Sequence, residues 1–551
     1  MFRKNNAHQQ ERLFSQYNDL DKRLKKRLQG TWAPVFYEHV FCNIEEDPFA
    51  VLYCQDNGRP NFPVNILVAL ELIKHWKDFT DEELIEQASF NYQIAYAIGL
   101  RNLGEEYIAP RTLYEFRDRV YRHTLQHGAD GDLIFGQFQK LTRHFMELTG
   151  TKSDEQRMDS SLLLPNIQKA GRLALAFDVL HHAVDACPDT IRTESLKSVL
   201  HPAFKTTMLY KTKVSGLEAR MNQLLQLSQE LLAVVQDNST LKQLPPIALL
   251  ERFLSEQGNW DEAKQIWTVK DSKEISAESL QSAHDPDATY RKKGNTSAAG
   301  YVCNLSETCS KDNAAQLITD YTVEKNTTAD VDMIQHRLPI IKETTNVKEL
   351  YVDGGYYGEE VEKVAQQEKV TMHYSAMTGR KPADGKLTYD QFEIQNRQII
   401  VSCPAQQQPI RAAFDEQSRT LSAHFTIETC QQCPRLPECP VKFQKKEAAI
   451  RVSQKRVLAD ETRKTLAEGG QKEATSRRAA IEGTNSALKR GQCFGRLMVR
   501  GLCKSRVVAG LKIIGHNFQQ TLHSLIRQAN QSVKSCIVSK VPILQGSSLP
   551  S

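Results

Sequence analysis

Two aspartates have the setting for chemistry. Asp159 stands in a short β-type run, 156–164 (QRMDSSLLL), that ends at Pro165. Asp353 closes a second apolar run and is followed by Gly354-Gly355-Tyr356-Tyr357. An aspartate at a strand end before glycines has an exposed carboxylate, and the chain can turn there without steric conflict. Such a carboxylate suits a metal ion; its bland alternative is to cap the turn or the helix that follows. A third carboxylate, Glu482, is separated from Arg478 by three residues and from Lys489 by six. On a helix these are positions i, i+4 and i+11, which at ~100° per residue fall within an arc of about 40°. One face then carries Arg, Glu and Lys together, which holds a metal and a phosphate side by side or forms a simple salt-bridge stripe.

A second constellation is made of sulfur. Of twelve cysteines, Cys403, Cys430, Cys433 and Cys439 lie close together in sequence. Cys430-x2-Cys433-x5-Cys439, with Cys403-Pro404 upstream, supplies four thiolates. Four sulfurs match a closed tetrahedral zinc site, although the x5 spacing is less usual. An iron–sulfur cluster is the alternative ligand, and unligated loop cysteines are the third reading. A closed thiolate site leaves no open position, so it is not a catalytic centre.

The surrounding chain sets bounds on both. At ~150 residues per domain, 551 residues predict three or four units. With 40% hydrophobic and 25% charged residues, the composition is that of a globular chain, which excludes general disorder and fibrous repeats. No run approaches the ~20 apolar residues of a membrane span, and the polar start MFRKNNAHQQERLF lacks a secretory pattern. A cytoplasmic protein is expected, without a disulfide framework. The net charge of +5 conceals an asymmetry: residues 441–540 hold 21 Lys/Arg against 6 Asp/Glu, so the remainder is net acidic. A basic segment of this size points to a polyanion or to a solvated surface.

The elements that must position these residues follow from pattern. Residues 1–130 read as helical: apolar residues fall on a helical face in 64–76, Thr80 and Glu83 form a capping-box pattern, and Pro110 opens a third helix. These helices fit a DNA reader of helix-turn-helix type or a plain packing domain. After the strand at 156–164 the pattern is helical to about 280, as in an inserted subdomain. Strand patterns resume at 300–306, 315–323, 348–352 and 370–376, with a helix at 359–368. Strands alternating with helices imply a mixed α/β core. Residues 380–450 read as irregular, 453–492 and 505–530 as helical, and the Ser- and Gln-rich tail after 530 as disordered.

Five segments, in order, resemble the DDE transposases of bacterial insertion sequences, in the group whose catalytic helix reads Y-(2)-R-(3)-E-(6)-K. They are NGRPNFPVNILVALELI with PRTLYEFR, QRMDSSLLLPNI, DPDATYRKKGNTSAAGYVCNLS, ELYVDGGYYGEE and RRAAIEGTNSALKR. Thr475 departs from the pattern, standing where the motif has tyrosine, and Met158 stands beside the first aspartate where Thr or Ile is expected. The resemblance implies an RNase H-like mixed-sheet core at 150–530, interrupted by a helical insertion at 165–285 and a small cysteine-rich, ribbon-like insertion at 380–450. It also implies a helical DNA-binding domain at 1–130 and leaves 531–551 as a tail. Asp159, Asp353 and Glu482 are then the catalytic ligands of two Mg²⁺ ions, while the four cysteines hold structural Zn²⁺. Arg478, Lys489, Arg490, Arg496 and Arg500, with Lys504 and Arg506 beyond them, are expected on DNA phosphates. The expected partner is double-stranded DNA, as terminal inverted repeats and target, bound by a homodimer at the nucleoid, with no membrane contact. Strand cleavage and transfer is the implied reaction; a non-catalytic DNA-binding descendant and a stand-alone nuclease are the alternatives.

Overall fold

The computed structural model describes the chain except for residues 11–13, 55–57, 169, 212–213, 294–295, 376–384, 466, 469–470 and 539–551. The N-terminal part holds helices α1 (Trp32–His39), α2 (Val64–Lys77), α3 (Asp81–Phe90), α4 (Pro110–His127) and α5 (Leu133–Thr149). The predicted capping box is formed: the Thr80 hydroxyl accepts from the Glu83 N–H at 3.1 Å, and Glu83 accepts from the Thr80 N–H at 2.8 Å. Helix α2 is buried on nearly every side from Val64 to Ile73, which makes it a central helix, not a half-exposed one.

The mixed sheet is built around β1 (Glu155–Leu163). Its partners are β2 (Thr289–Lys293), β3 (Thr296–Thr308), β4 (Ile318–Lys325), β5 (Glu349–Val352) and β6 (Thr371–Tyr374). β1 pairs antiparallel with β3, placing Asp159 opposite Leu305, and parallel with β5, placing Arg157 opposite Tyr351. β4 continues the antiparallel side beyond β3, and β6 continues the parallel side beyond β5. The parallel connections carry helices α6 (Asp330–Thr344) and α7 (Glu359–Gln367), as parallel pairing requires. Their apolar faces cover β5 with Met158, Ile334, Leu338, Val352 and Val361.

Between β1 and β2 the chain is largely helical. Helices Arg172–Asp185, Leu217–Val235 and Pro245–Gln257 enclose their own apolar core, closed by a hairpin of Gly258–Asp261 with Ile266–Val269. The segment at 380–450 is not irregular as expected. It holds β7 (Arg411–Asp415), β8 (Thr420–Phe425), β9 (Lys442–Phe443) and β10 (Ala448–Ser453), a four-stranded antiparallel sheet. These strands are short and two of them are largely exposed, so their alternation carries little apolar signal.

The helical stretch after β10 is interrupted. It comprises α8 (Gln454–Thr465), α9 (Gln471–Ala479) and α10 (Ile481–Gly491). The last helix, α11 (Leu502–Val538), runs past residue 530, and the rest of the predicted tail, 539–551, lies outside the described residues.

Helix α11 ties the ends of the chain together. Phe518 meets Trp76 of α2 and Phe36 of α1 with ring centroids 5.0 and 5.2 Å apart. Gly515 lies against Trp76, where a Cβ would come within 2.7 Å of its side chain. One continuous apolar core therefore joins residues 33–145 to β3, β4 and α11.

Candidate functional site

Three segments distant in sequence meet at the edge of β1. Asp159 is on the strand, Asp353 follows β5 immediately, and Glu482 is in the first turn of α10. All three carboxylates surround one guanidinium, that of Arg478 at the end of α9. Its Nη2 lies 3.4 Å from Asp159 Oδ1 and 4.0 Å from Asp353 Oδ2, and its Nη1 lies 3.2 Å from Glu482 Oε1. The helix breaks at Ala480 between the two helices, yet the i, i+4 relation of Arg478 and Glu482 survives because Ala480 keeps helical angles. The resemblance implies a phosphate contact for Arg478; in the fold its charge stands among the three carboxylates, of which only Asp159 is largely removed from solvent. Burial pushes the Asp159 carboxyl above the ordinary aspartate range, and Arg478 beside it works in the opposite direction.

Asp353 caps the turn that follows it and also faces Arg478. Its Oδ1 accepts from the Gly355 N–H at 2.7 Å, capping the turn, while Oδ2 faces Arg478. Gly355 is required by space: a Cβ there would stand 2.9 Å from Asp353 Oδ1 and 3.3 Å from Asp330 Oδ2. Tyr356 anchors the turn, its buried hydroxyl donating to Asn304 Oδ1 on β3 at 2.8 Å.

Several neighbours of the site do not stand out in the sequence. Asn485 donates through Nδ2 to Asp159 Oδ2 at 3.4 Å; its position three residues after Glu482, one turn along the same face, is the signal that could have found it. On the same face of β1 as Asp159, Arg157 stands opposite Glu307 on β3 and forms a buried pair with it at 2.6 Å, to which Thr484 donates at 2.7 Å. This pair fixes α10 against the sheet. Asp330, opening α6, has one buried carboxylate oxygen without a hydrogen-bond partner. Thr475, at the motif's tyrosine position, donates to the Ser375 carbonyl beyond β6 at 3.2 Å, a structural tether.

The basic residues divide. Lys489, Arg490, Arg496 and Arg500 are exposed. The stem of Lys489 lies across Gly495, and Arg500 Nε donates to the Asn166 carbonyl at 2.8 Å. Arg506 is turned inward, bonding the Val323 carbonyl and Glu324, and Lys504 stands over the Tyr121 ring with Nζ 5.5 Å from its centroid. Lys512 is buried and reaches Asp78 and the Gln492 carbonyl. Arg506 is thus engaged with β4, unlike the four exposed cations.

The four cysteines also come together. Cys403, Cys430, Cys433 and Cys439 line one cavity of about 30 Å³ with Phe425, Leu436, Val441 and Ile450. Burial, then the neighbouring thiols Cys439, Cys403 and Cys433, push the Cys430 thiol up to about 11. Among the described residues, no group of three or more His, Cys, Asp or Glu stands at coordination spacing, in this cavity or around Arg478. The donor chemistry nonetheless suits a different cation in each place: hard oxygens around a guanidinium that occupies a cation's position, and soft sulfurs in an apolar pocket.

Two family descriptions match this chain. Residues 30–119 match "Transposase domain (DUF772)", and residues 402–522 match "Transposase DDE domain". Together the two matches support an insertion-sequence DDE transposase. The second match spans the cysteine cavity, Arg478 and Glu482, while Asp159 and Asp353 lie outside both matches. A transposase acts on DNA. No curated protein and no solved structure matches the transposase. No described helix of it is long and apolar enough to cross a membrane.

Proposed function

We propose that the transposase cleaves and transfers DNA strands at the ends of an insertion sequence, with Asp159, Asp353 and Glu482 as its catalytic carboxylates. The observation that carries this reading is the convergence of the three on the Arg478 guanidinium. Side chains from three distant segments of the chain surround a single positive charge at the edge of a sheet. The RNase H-like description of the core is supported by the sheet itself, with antiparallel strands on one side of β1, parallel strands on the other, and helices in the parallel crossovers.

Two Mg²⁺ ions held by these carboxylates would supply activation of the attacking oxygen and stabilisation of the leaving one. The chain's own residues do the rest. Asn485 orients Asp159 through its amide, Gly355 lets Asp353 turn toward the site, and the Arg157–Glu307–Thr484 network keeps Glu482 facing β1. Lys489, Arg490, Arg496 and Arg500 grip backbone phosphates, which gives affinity without sequence reading. The cysteine cavity takes Zn²⁺ as a structural clip for the sheet of β7–β10. A strand-transfer assay on terminal-repeat DNA with Mg²⁺ tests the proposal. Cleaved and joined product is expected. Cleavage without joining would make the protein a nuclease, and binding without cleavage would make it a non-catalytic relative.

A further inference from the structure

Glu482 is the last acidic residue of the chain: the 69 residues after it contain ten Lys/Arg and no Asp or Glu. Within this stretch, residues 492–501 link α10 to α11 as a short ribbon that turns at Phe494-Gly495, bridges to Leu164 at Arg496 and bends at Met498. The ribbon is fixed to the end of β1. The Leu164 N–H donates to the Gly495 carbonyl at 3.1 Å, the Leu497 N–H to the Leu164 carbonyl at 2.8 Å, and the Asn166 N–H to the Val499 carbonyl at 2.8 Å. Side chains alternate along it as on a strand. Leu497 is buried and Val499 half-buried, while Arg496, Met498 and Arg500 face solvent.

A lone exposed methionine is ordinary on a protein surface. Met498 differs in three respects. Its side chain is 81% exposed. It is held out by a backbone hydrogen-bonded on both sides of it. Its two same-face neighbours are arginines without an anionic partner among the described residues, each about 7 Å away by strand geometry. The acids nearest in contact, Asp285 and Asp287, are already engaged in capping the start of α11 through the Gly501 and Leu502 N–H groups.

We propose that Met498 is an apolar wedge for duplex DNA, entering the base stack while Arg496 and Arg500 hold the flanking phosphates. The inference rests on the reading of this protein as one that binds DNA ends, and it adds a residue that distorts them. Methionine is unbranched and polarisable, so it fills the gap between parted bases. Apolar wedges between base steps unstack and kink a duplex at a cost that phosphate contacts offset. The ribbon is bonded alongside Leu164 and Asn166, beyond the end of β1 from Asp159, so the wedge meets the duplex away from the bond cleaved beside Asp159.

The test uses the full-length protein and terminal-repeat duplexes carrying 2-aminopurine at successive positions from the cleaved bond. With wild type, fluorescence should rise at one or two adjacent positions away from the cleaved bond, as stacking is lost. Met498→Ala should bind with roughly tenfold lower affinity and no fluorescence rise, and Met498→Leu should retain both. A duplex already mismatched at the responsive position should restore Met498→Ala binding to wild-type level. Fluorescence that rises equally with Met498→Ala, or at no position with wild type bound, overturns the wedge and leaves DNA binding standing. Failure of wild type to bind the terminal duplex overturns the DNA-end reading and the wedge with it.

Discussion

At the residue scale the informative group is Arg478. Three carboxylates share it, and Asp159 is the most buried of them, with a side chain 13% exposed against 39% for Asp353 and 63% for Glu482. A buried carboxylate without a cation would neutralise instead. Asp159→Asn, Asp353→Asn and Glu482→Gln should each lower cleavage by more than about 100-fold, the loss that removing only an outer partner of a metal ligand produces. End binding should persist, as read by gel shift; a variant that cleaves at the wild-type rate would remove that residue from the site. Arg478→Ala should leave Mn²⁺ affinity unchanged or higher, because a competing positive charge is gone, while the protein's stability without metal falls. Titration calorimetry and thermal melts with and without Mn²⁺ read the two effects separately. Weaker Mn²⁺ binding in that variant would show that Arg478 positions the carboxylates for the ion.

At the scale of elements, two devices lend themselves to measurement. Helices α2 and α4 are clamped by Arg117, which pairs with Glu71 at 2.7 Å and with Asp81 at 2.5 Å, while Lys74 also reaches Asp81 at 2.7 Å. Burial acts to raise the Asp81 carboxyl, but Arg117 and Lys74 prevail and hold it down to about 2. A carboxylate lowered in the folded state stabilises the fold above its unfolded value near 4, and that contribution is lost as pH falls toward 2. Acid unfolding should therefore steepen between about pH 4 and 2, and Asp81→Asn should flatten that limb while costing about 1–2 kcal/mol near neutrality. Denaturant melts across pH check both. The second device is the cysteine cavity. Purified protein should carry about one zinc per chain, and Cys433→Ser should lose the metal and destabilise β7–β10, since ligand binding there is folding energy. Elemental analysis decides the ion: iron with visible absorbance would make it a cluster, and no metal would make the four thiols a packing feature.

At the scale of the whole molecule, the two ends of the chain share one core. The face of α11 that carries Phe518 packs against Trp76 and Phe36, and Trp76 Nε1 donates to Gln519 at 3.3 Å. Phe518→Ala should cost about 3–5 kcal/mol and should lower the melting of the N-terminal helices and the catalytic sheet together. Separate transitions for the two, followed by proteolysis or calorimetry, would mean that the shared core is weaker than its burial implies. The fused core has a functional meaning for a transposase: whatever the N-terminal helices grip is held in fixed relation to the carboxylates, with no linker between them.

Much of this was legible in one dimension. The strands at 155–163 and 349–352 are β-type runs ended by Pro165 and by Asp353-Gly354-Gly355, and those local signals survive without tertiary help. Spacing alone placed Glu482 one helical turn from Arg478, and sulfur spacing grouped the four cysteines. The insertion at 165–285 was visible because helical periodicity replaced a strand pattern and then gave way to one. What the chain could not announce locally were the contacts made across it. Nothing in the spacing says that Arg478 stands between all three carboxylates, because two of them arrive from β1 and β5. Charge type did not distinguish the exposed Arg496 from Arg506, which bonds β4, or from the buried Lys512, because burial depends on what α11 packs against. The sheet of β7–β10 was missed because its short, half-exposed strands are stabilised by pairing with one another, a non-local term with no sequence period. Residue type and local order determined which groups this protein carries; only folding decided which of them meet.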